Sequence, residues 1–173
     1  MKKIIISIFA LLLIIVCSSS TSLQAQSSET DLDQVELMKQ FIGTWKWEWR
    51  EDSTVIWEII PSNVGYESNI SWQAHGETYS TSQGIMGFAQ NKQLVNWYFL
   101  LRGGGIYRDV GKFVSDKKLT GERFTVDHKH VTTSYEMYFQ TPDKFKWVAK
   151  SRGMKETWDD AVVIEVTYTR VKK

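Results

Sequence analysis

The side chains best suited to chemistry in this sequence are its three histidines. His128 and His130 stand in "DHKH", two positions apart, as on one face of a strand, where two imidazoles could ligate a metal. The same segment is typical of a turn, in which histidines are solvated, and we therefore predict no metal site and no cofactor. His75 ends an alternating stretch before Gly76, where an exposed histidine, a general base and a haem ligand are all compatible with the pattern.

Two further segments could bind or transform a ligand. In "IYRDVG", Arg108 and Asp109 are adjacent, and an arginine buried among aromatic rings would bind a carboxylate through two hydrogen bonds. An outward-facing Arg108 explains the pattern equally well. "RGGGIYR" lacks the helix and the glycine spacing of a phosphate-binding loop, and no serine occupies a nucleophile elbow. We assign no catalytic residue, and an enzymatic role stays open.

Aromatic residues form the strongest pattern in the chain. In "FIGTWKWEWRED", Trp45, Trp47 and Trp49 alternate with charged residues, as on one face of a strand. If Trp45 points inward, the other two line the interior above it. The predicted ligand-binding residues are Trp47, Trp49, Trp57, Tyr66, Trp72, Tyr98, Tyr107, Arg108, Tyr135 and Trp147. The alternative is that these rings simply fill the interior.

Strands must position these side chains. After Gly43 the sequence alternates apolar and polar residues between turn segments such as "SDKK" and "TPDK", whereas 35–41 has helical spacing. We predict an all-β protein: a single up-and-down antiparallel β-barrel of about eight to ten strands with a short N-terminal helix. A two-sheet sandwich is the alternative. A membrane barrel is disfavoured because charged residues occupy many positions that would face lipid.

The N-terminus has the layout of an export signal. Two lysines precede an apolar run from Ile4 to Val16, which is shorter than the roughly 20 residues of a membrane-spanning helix. We predict a signal peptide at 1–25 with cleavage after Ala25, a disordered leader at 26–34 and a barrel domain at 35–173. Lipid attachment at Cys17 is the alternative fate. We expect a periplasmic or secreted protein without integral membrane insertion.

Composition limits the classes of binding partner that we expect for this protein. The formal net charge is +1 at pH 7, which provides no electrostatic footprint for nucleic acid or an anionic membrane surface. Cys17 is the single cysteine, so a chain beginning at Gln26 could form no disulfide and would depend on its core for stability.

Three residues carry a family resemblance. Gly43 and Trp45 stand in "FIGTW" after the predicted helix, and Arg170 stands in the closing "VTYTRV". This layout resembles the lipocalin-like (calycin) superfamily, and "GIMGFAQNKQLVNWYF" is similar to bacterial exported lipocalin-like domains of unknown function. The resemblance implies that Arg170 packs across Trp45 at the closed end of the barrel, with Gly43 opening the first strand. An indole fills that end, and a guanidinium on its face gains a cation–π contact.

These features lead to one favoured hypothesis and two alternatives. We expect an exported lipocalin-like barrel that binds a small hydrophobic or amphipathic ligand in an aromatic-lined cavity. The first alternative is a barrel enzyme of the isomerase, cyclase or hydratase type, with His75, Arg108 or Asp109 converging in the interior. The second is a filled structural or interaction barrel. The hypothesis of haem binding is weakened because no histidine follows His130 in the sequence.

Overall fold

A short capped helix opens the fold. The computed structural model describes residues 32–125, 131–153 and 155–172. Helix α1 (Gln34–Met38) is capped by Asp33, whose carboxylate accepts a hydrogen bond of 2.9 Å from the N–H of Glu36, and it runs into a 3-10 helix (Lys39–Phe41). It begins one residue before the predicted domain boundary. The predicted signal peptide, the leader up to Asp31, and His128 and His130 lie outside the described residues.

Ten strands follow in the described part of the chain, and short turns join most of them. They are β1 (Gly43–Arg50), β2 (Ser53–Ser62), β3 (Gly65–Ala74), β4 (Glu77–Ala89), β5 (Leu94–Leu101), β6 (Ile106–Ser115), β7 (Lys118–Thr125), β8 (Val131–Thr141), β9 (Lys144–Ser151) and β10 (Val162–Arg170). Every strand pairs antiparallel with its chain neighbours, and β1 pairs with β10 to close a barrel. The predicted all-β, up-and-down barrel is confirmed, and it is consistent with a calycin-like fold.

The closing seam between β1 and β10 is short. Its register consists of Trp45 opposite Arg170 and Lys46 opposite Thr169, and the N–H of Val171 donates to the carbonyl of Thr44 at 2.8 Å. All other neighbouring strands pair over much longer registers. The backbones of β1 and β10 therefore pair near Trp45 and Arg170, whereas the rest of this seam is less closely joined.

The helical segment closes one end of the barrel. Phe41 is fully buried, and its ring centroid lies 5.0 to 6.1 Å from those of five other rings. These belong to Trp57, Trp97, Phe113, Phe139 and Phe145. Gln34 joins α1 to β6 through two hydrogen bonds with Phe113. Its side-chain amide donates to the carbonyl of Phe113 at 2.9 Å, and its side-chain oxygen accepts from the N–H of Phe113 at 2.8 Å. We call this the closed end.

The opposite end, the mouth, carries the turns at 51–52, 75–76 and 102–105. Among the described residues, no helix combines the length and apolar character needed to cross a bilayer.

Candidate functional site

The mouth side of the lumen carries a row of aromatic residues on adjacent strands. Trp47 on β1 lies opposite Val55 on β2, which lies opposite Trp72 on β3, which lies opposite Tyr79 on β4. Paired residues in a sheet share a face. Because Trp45, two residues before Trp47, is fully buried inside the barrel, this row faces the lumen.

Trp49 joins the row through an irregularity in β1. The β1–β2 register shifts between Glu48 and Arg50, which leaves Trp49 at the bulge. Its ring stacks on Trp47 at 5.5 Å and 10°, and on Trp72 at 5.8 Å and 28°. The rings of Trp72 and Tyr79 lie 6.3 Å apart. We call Trp47, Trp49, Trp72 and Tyr79 the aromatic ladder.

Three of the four ladder residues are exposed, although they are large. Trp49 is 52% exposed, Trp72 38% and Tyr79 39%. Toward the closed end the rings become packed: Trp47 contacts Tyr168 at 6.3 Å, and Tyr168 stacks on Phe145 at 4.8 Å and 17°. Aromatic rings therefore fill the closed half of the lumen, whereas at the mouth they present faces to solvent.

A pair of opposite charges lies on the other side of the lumen. Nε and Nη2 of Arg123 on β7 each donate to a different carboxylate oxygen of Asp109 on β6, both at 2.8 Å. The guanidinium also lies 6.0 Å from the ring of Phe99 and 5.6 Å from that of Tyr107. Burial disfavours the charged form of Arg123, but the hydrogen bonds and charge of Asp109 outweigh it and raise the pKa of Arg123.

Tyr135 on β8 adds an unpaired hydroxyl near this ion pair. The residue is buried, and its Oη has no hydrogen-bond partner. Its ring lies over Gly121, where an added Cβ would come within 2.5 Å of the phenol. Burial, and secondarily the charge of Asp109, hold the pKa of Tyr135 well above its usual value, so the phenol stays protonated.

Most of the predicted ligand-binding residues face the lumen. Those are Trp47, Trp49, Trp57, Tyr66, Trp72, Tyr107, Tyr135 and Trp147. They do not form one site, because Trp57 is packed against Phe41 in the closed half. Trp147 instead lies beside Tyr135, with ring centroids 6.4 Å apart.

Tyr98 and Arg108 require a correction, because they lie on the outer wall. They stand opposite each other on β5 and β6, with the guanidinium 5.7 Å from the phenol ring, and Arg108 also donates to the side-chain oxygen of Asn96. The cause is strand alternation: Trp97 and Asp109, their neighbours in sequence, are buried inside the barrel. Arg108 therefore cannot anchor a ligand in the lumen.

The three residues implied by the family resemblance do meet at the closed end. The guanidinium carbon of Arg170 lies 4.1 Å from the ring centroid of Trp45. The same side chain donates to the carbonyls of Gln40 and Ile42, which follow helix α1. Gly43 has φ of +128°, and a Cβ there would come within 2.5 Å of Nη1 of Arg170.

The histidine candidates do not assemble a centre. His75 is exposed at the turn between β3 and β4, with Nδ1 3.0 Å from a carboxylate oxygen of Asp52. The enzymatic alternative placed His75, Arg108 or Asp109 in the interior. Of these three, His75 is exposed at the turn and Arg108 faces outward, so Asp109 alone faces the lumen. In the part of the chain that the structure describes, no three His, Cys, Asp or Glu side chains are grouped to hold a metal.

Arg123 and Tyr79 were missed in the sequence. Tyr79 lies before an irregularity in the β3–β4 register. Arg123 faces inward because β6, the strand that pairs with β7 in the same hairpin, contains a bulge. A usable signal was the alternation of Leu119, Gly121 and Arg123, in which the first residue is a natural core position.

Comparison with known proteins does not assign the chain to a family. No protein-family model matches the chain, and a search of curated proteins finds no significant match.

Proposed function

We propose that this protein is an exported lipocalin-like barrel that binds a small hydrophobic or amphipathic molecule at its mouth, against the aromatic ladder. The observation that supports this most directly is the exposure of Trp49 and Trp72, whose rings stack on each other yet remain 52% and 38% exposed. The barrel with its buried aromatic cluster is compatible with ligand binding.

Exposure of stacked indoles is unfavourable in water. A tryptophan side chain buries a large apolar area when it is covered, and clustered exposed apolar residues typically mark binding sites. A flat apolar ligand that covers Trp49 and Trp72 would remove that area from water. The ladder is also built on adjacent strands, so its rings are held in place before a ligand arrives.

The closed end directs the ligand to the mouth. Phe41 and the rings around it occupy the other half of the lumen, and Arg170 holds that end together. A ligand therefore reaches the ladder from the mouth or from the loosely joined part of the seam between β1 and β10.

The test compares the wild type with a variant that carries both Trp49→Ala and Trp72→Ala. Native mass spectrometry of protein purified from its host should show a bound molecule, and equilibrium dialysis should show at least tenfold weaker retention by the variant. Tyr98→Ala, an exposed ring on the outer wall, is the matched control and should bind as the wild type does.

Two results would refute the proposal. One is the absence of a bound molecule together with no quenching of tryptophan emission by a panel of fatty acids, long-chain alcohols and aromatic hydrocarbons. The other is equal binding by the wild type and the double tryptophan variant.

Export is a separate part of the proposal and rests on the sequence of residues 1–25. A periplasmic or secreted location with cleavage after Ala25 predicts a mature chain that begins at Gln26. The intact mass of protein recovered from the host distinguishes this from lipid attachment at Cys17, which would give a chain that begins at Cys17 with an added acyl mass.

A further inference from the structure

Arg123 and Asp109 differ in how far they are open to the lumen. The side chain of Asp109 is 5% exposed, and both of its oxygens accept hydrogen bonds from Arg123, whereas the side chain of Arg123 is 30% exposed. A guanidinium has five N–H donors and no acceptor, and the ion pair uses two of them. The accessible face of this charge-neutral pair therefore consists of donors.

Tyr135 provides another donor. Its hydroxyl is buried without a partner, which is an unfavourable state for a polar group that an incoming acceptor would relieve. The phenol lies against Gly121 on β7, two residues before Arg123 on the same face of the strand, so the phenol and the guanidinium are neighbours in the lumen. Because the phenol stays protonated, it can donate its hydrogen at neutral pH.

Tyr168 connects this polar group to the aromatic ladder. Its ring lies 6.3 Å from that of Trp47, and its hydroxyl interacts electrostatically with Arg123. A ligand whose apolar body lies on the ladder and extends past Tyr168 can thus place a polar group at Arg123.

We propose that the cluster of Arg123, Asp109 and Tyr135 selects an apolar ligand that carries a neutral carbonyl group. This rests on the binding function proposed above and specifies the ligand class. A carbonyl oxygen has two lone pairs, which can accept from the guanidinium and from the phenol. A carboxylate could accept the same bonds, but Asp109 already neutralises Arg123, so it would add an unpaired buried negative charge.

Three naphthalene probes of matched shape test this selection. Acetonaphthone carries a ketone, isopropenylnaphthalene replaces the oxygen with a methylene group, and naphthoate is ionised at neutral pH. Isothermal titration calorimetry should show that the wild type binds the ketone about tenfold more tightly than the hydrocarbon. Naphthoate should bind more weakly than the ketone.

Tyr135→Phe removes the hydroxyl and keeps the ring. This variant should lose most of the preference for the ketone and bind the hydrocarbon as the wild type does. Its thermal stability should equal or exceed that of the wild type, because the deleted hydroxyl is buried and has no partner in the protein. Tyr98→Phe, on the outer wall, should keep the preference.

The possible results separate the two proposals. If the ketone and the hydrocarbon bind equally, or naphthoate binds most tightly, the carbonyl proposal is overturned while binding to the ladder stands. Ladder binding is then verified by loss of hydrocarbon affinity in the variant with both Trp49→Ala and Trp72→Ala. If no probe binds, both proposals are contradicted. A ketone preference that survives in Tyr135→Phe would also overturn the role given to this cluster.

Discussion

The guanidinium carbon of Arg170 lies 4.1 Å from the centroid of the Trp45 indole, where the first and last strands of the barrel meet. Trp45 donates from Nε1 to the carbonyl of Phe41 at 2.7 Å. Arg170 reaches the carbonyls of Gln40 at 3.0 Å and Pro142 at 3.1 Å, and also that of Ile42. One side chain therefore joins the helical segment, β1 and the turn before β9.

Arg170→Lys should lower the free energy of unfolding by about 3 kcal/mol, because a single ammonium cannot reach all these carbonyls while lying flat on the indole. Urea denaturation followed by tryptophan fluorescence measures the change. The control is Arg50→Lys, an exposed arginine 6.0 Å from the ring of Trp49, which should change stability by less than about 0.5 kcal/mol. Equal losses in the two variants would contradict this role of Arg170.

Gly43→Ala should destabilise the protein by displacing Arg170, since the added Cβ would come within 2.5 Å of Nη1 of Arg170. We expect a loss of about 2 kcal/mol or more. Gly76→Ala is the control, because Gly76 also has positive φ but no atom within 4 Å of an added Cβ. In a double-mutant cycle, Gly43→Ala combined with Arg170→Lys should cost less than the sum of the single changes. Additive losses would show that the two residues act independently.

Gln34→Glu should make stability depend on pH. The carboxylate can still accept from the N–H of Phe113, but it cannot donate to the Phe113 carbonyl and it buries a charge. We expect a loss of about 3 kcal/mol at pH 7.

Protonation restores the donor, so the introduced carboxyl should have a higher pKa in the folded state than its value of about 4.3 in the unfolded state. The loss relative to the wild type should therefore shrink as the pH falls toward 4. Chemical denaturation at several pH values measures it, with the exposed Gln83→Glu as a control. A loss that does not vary with pH would argue against burial of the charge.

Tyr168 should contribute to alkaline unfolding. Burial raises its pKa to about 12, against about 10 in an unfolded chain. Between these values the unfolded state loses the proton first, so the stabilisation is complete below pH 10 and is lost as the pH rises to 12.

Tyr168→Phe should remove about 3 kcal/mol of that pH-dependent loss, as measured by urea denaturation across the same range. Part of the slope should remain, because burial also raises the pKa of Tyr135. An unchanged slope in Tyr168→Phe would show that the hydroxyl of Tyr168 is not buried.

Much of the fold followed from alternation in the sequence. The indoles of "TWKWEW", the helical spacing of 35–41 and the alternating segments after them were enough to predict a barrel. That Arg170 packs across Trp45 was implied by the resemblance to lipocalin-like barrels. Such predictions succeed because local periodicity decides which face of an element is apolar, and a barrel meander leaves few alternatives.

Alternation failed where both faces of a strand carry apolar residues. In "LVNWYFLL", Trp97 and Phe99 compete with Tyr98 and Leu100 for the interior, and composition does not decide between them. The adjacent β6 had the same ambiguity, which placed Arg108 among the predicted ligand-binding residues and kept Asp109, its inward-facing neighbour, only in the enzymatic alternative.

The sequence by itself determined the strands and the aromatic residues available to the interior, and its resemblance to lipocalin-like barrels indicated which end is plugged. Tertiary structure alone decided which charges meet in the lumen: the register of β6 and β7 shifts between Phe113 and Ser115, which sets Asp109 opposite Arg123. Without that bulge, the tight turn would set Asp109 opposite Phe124. A shift of one residue reverses which side chains of a strand face inward, and a bulge depends on packing against the whole barrel rather than on local residue type.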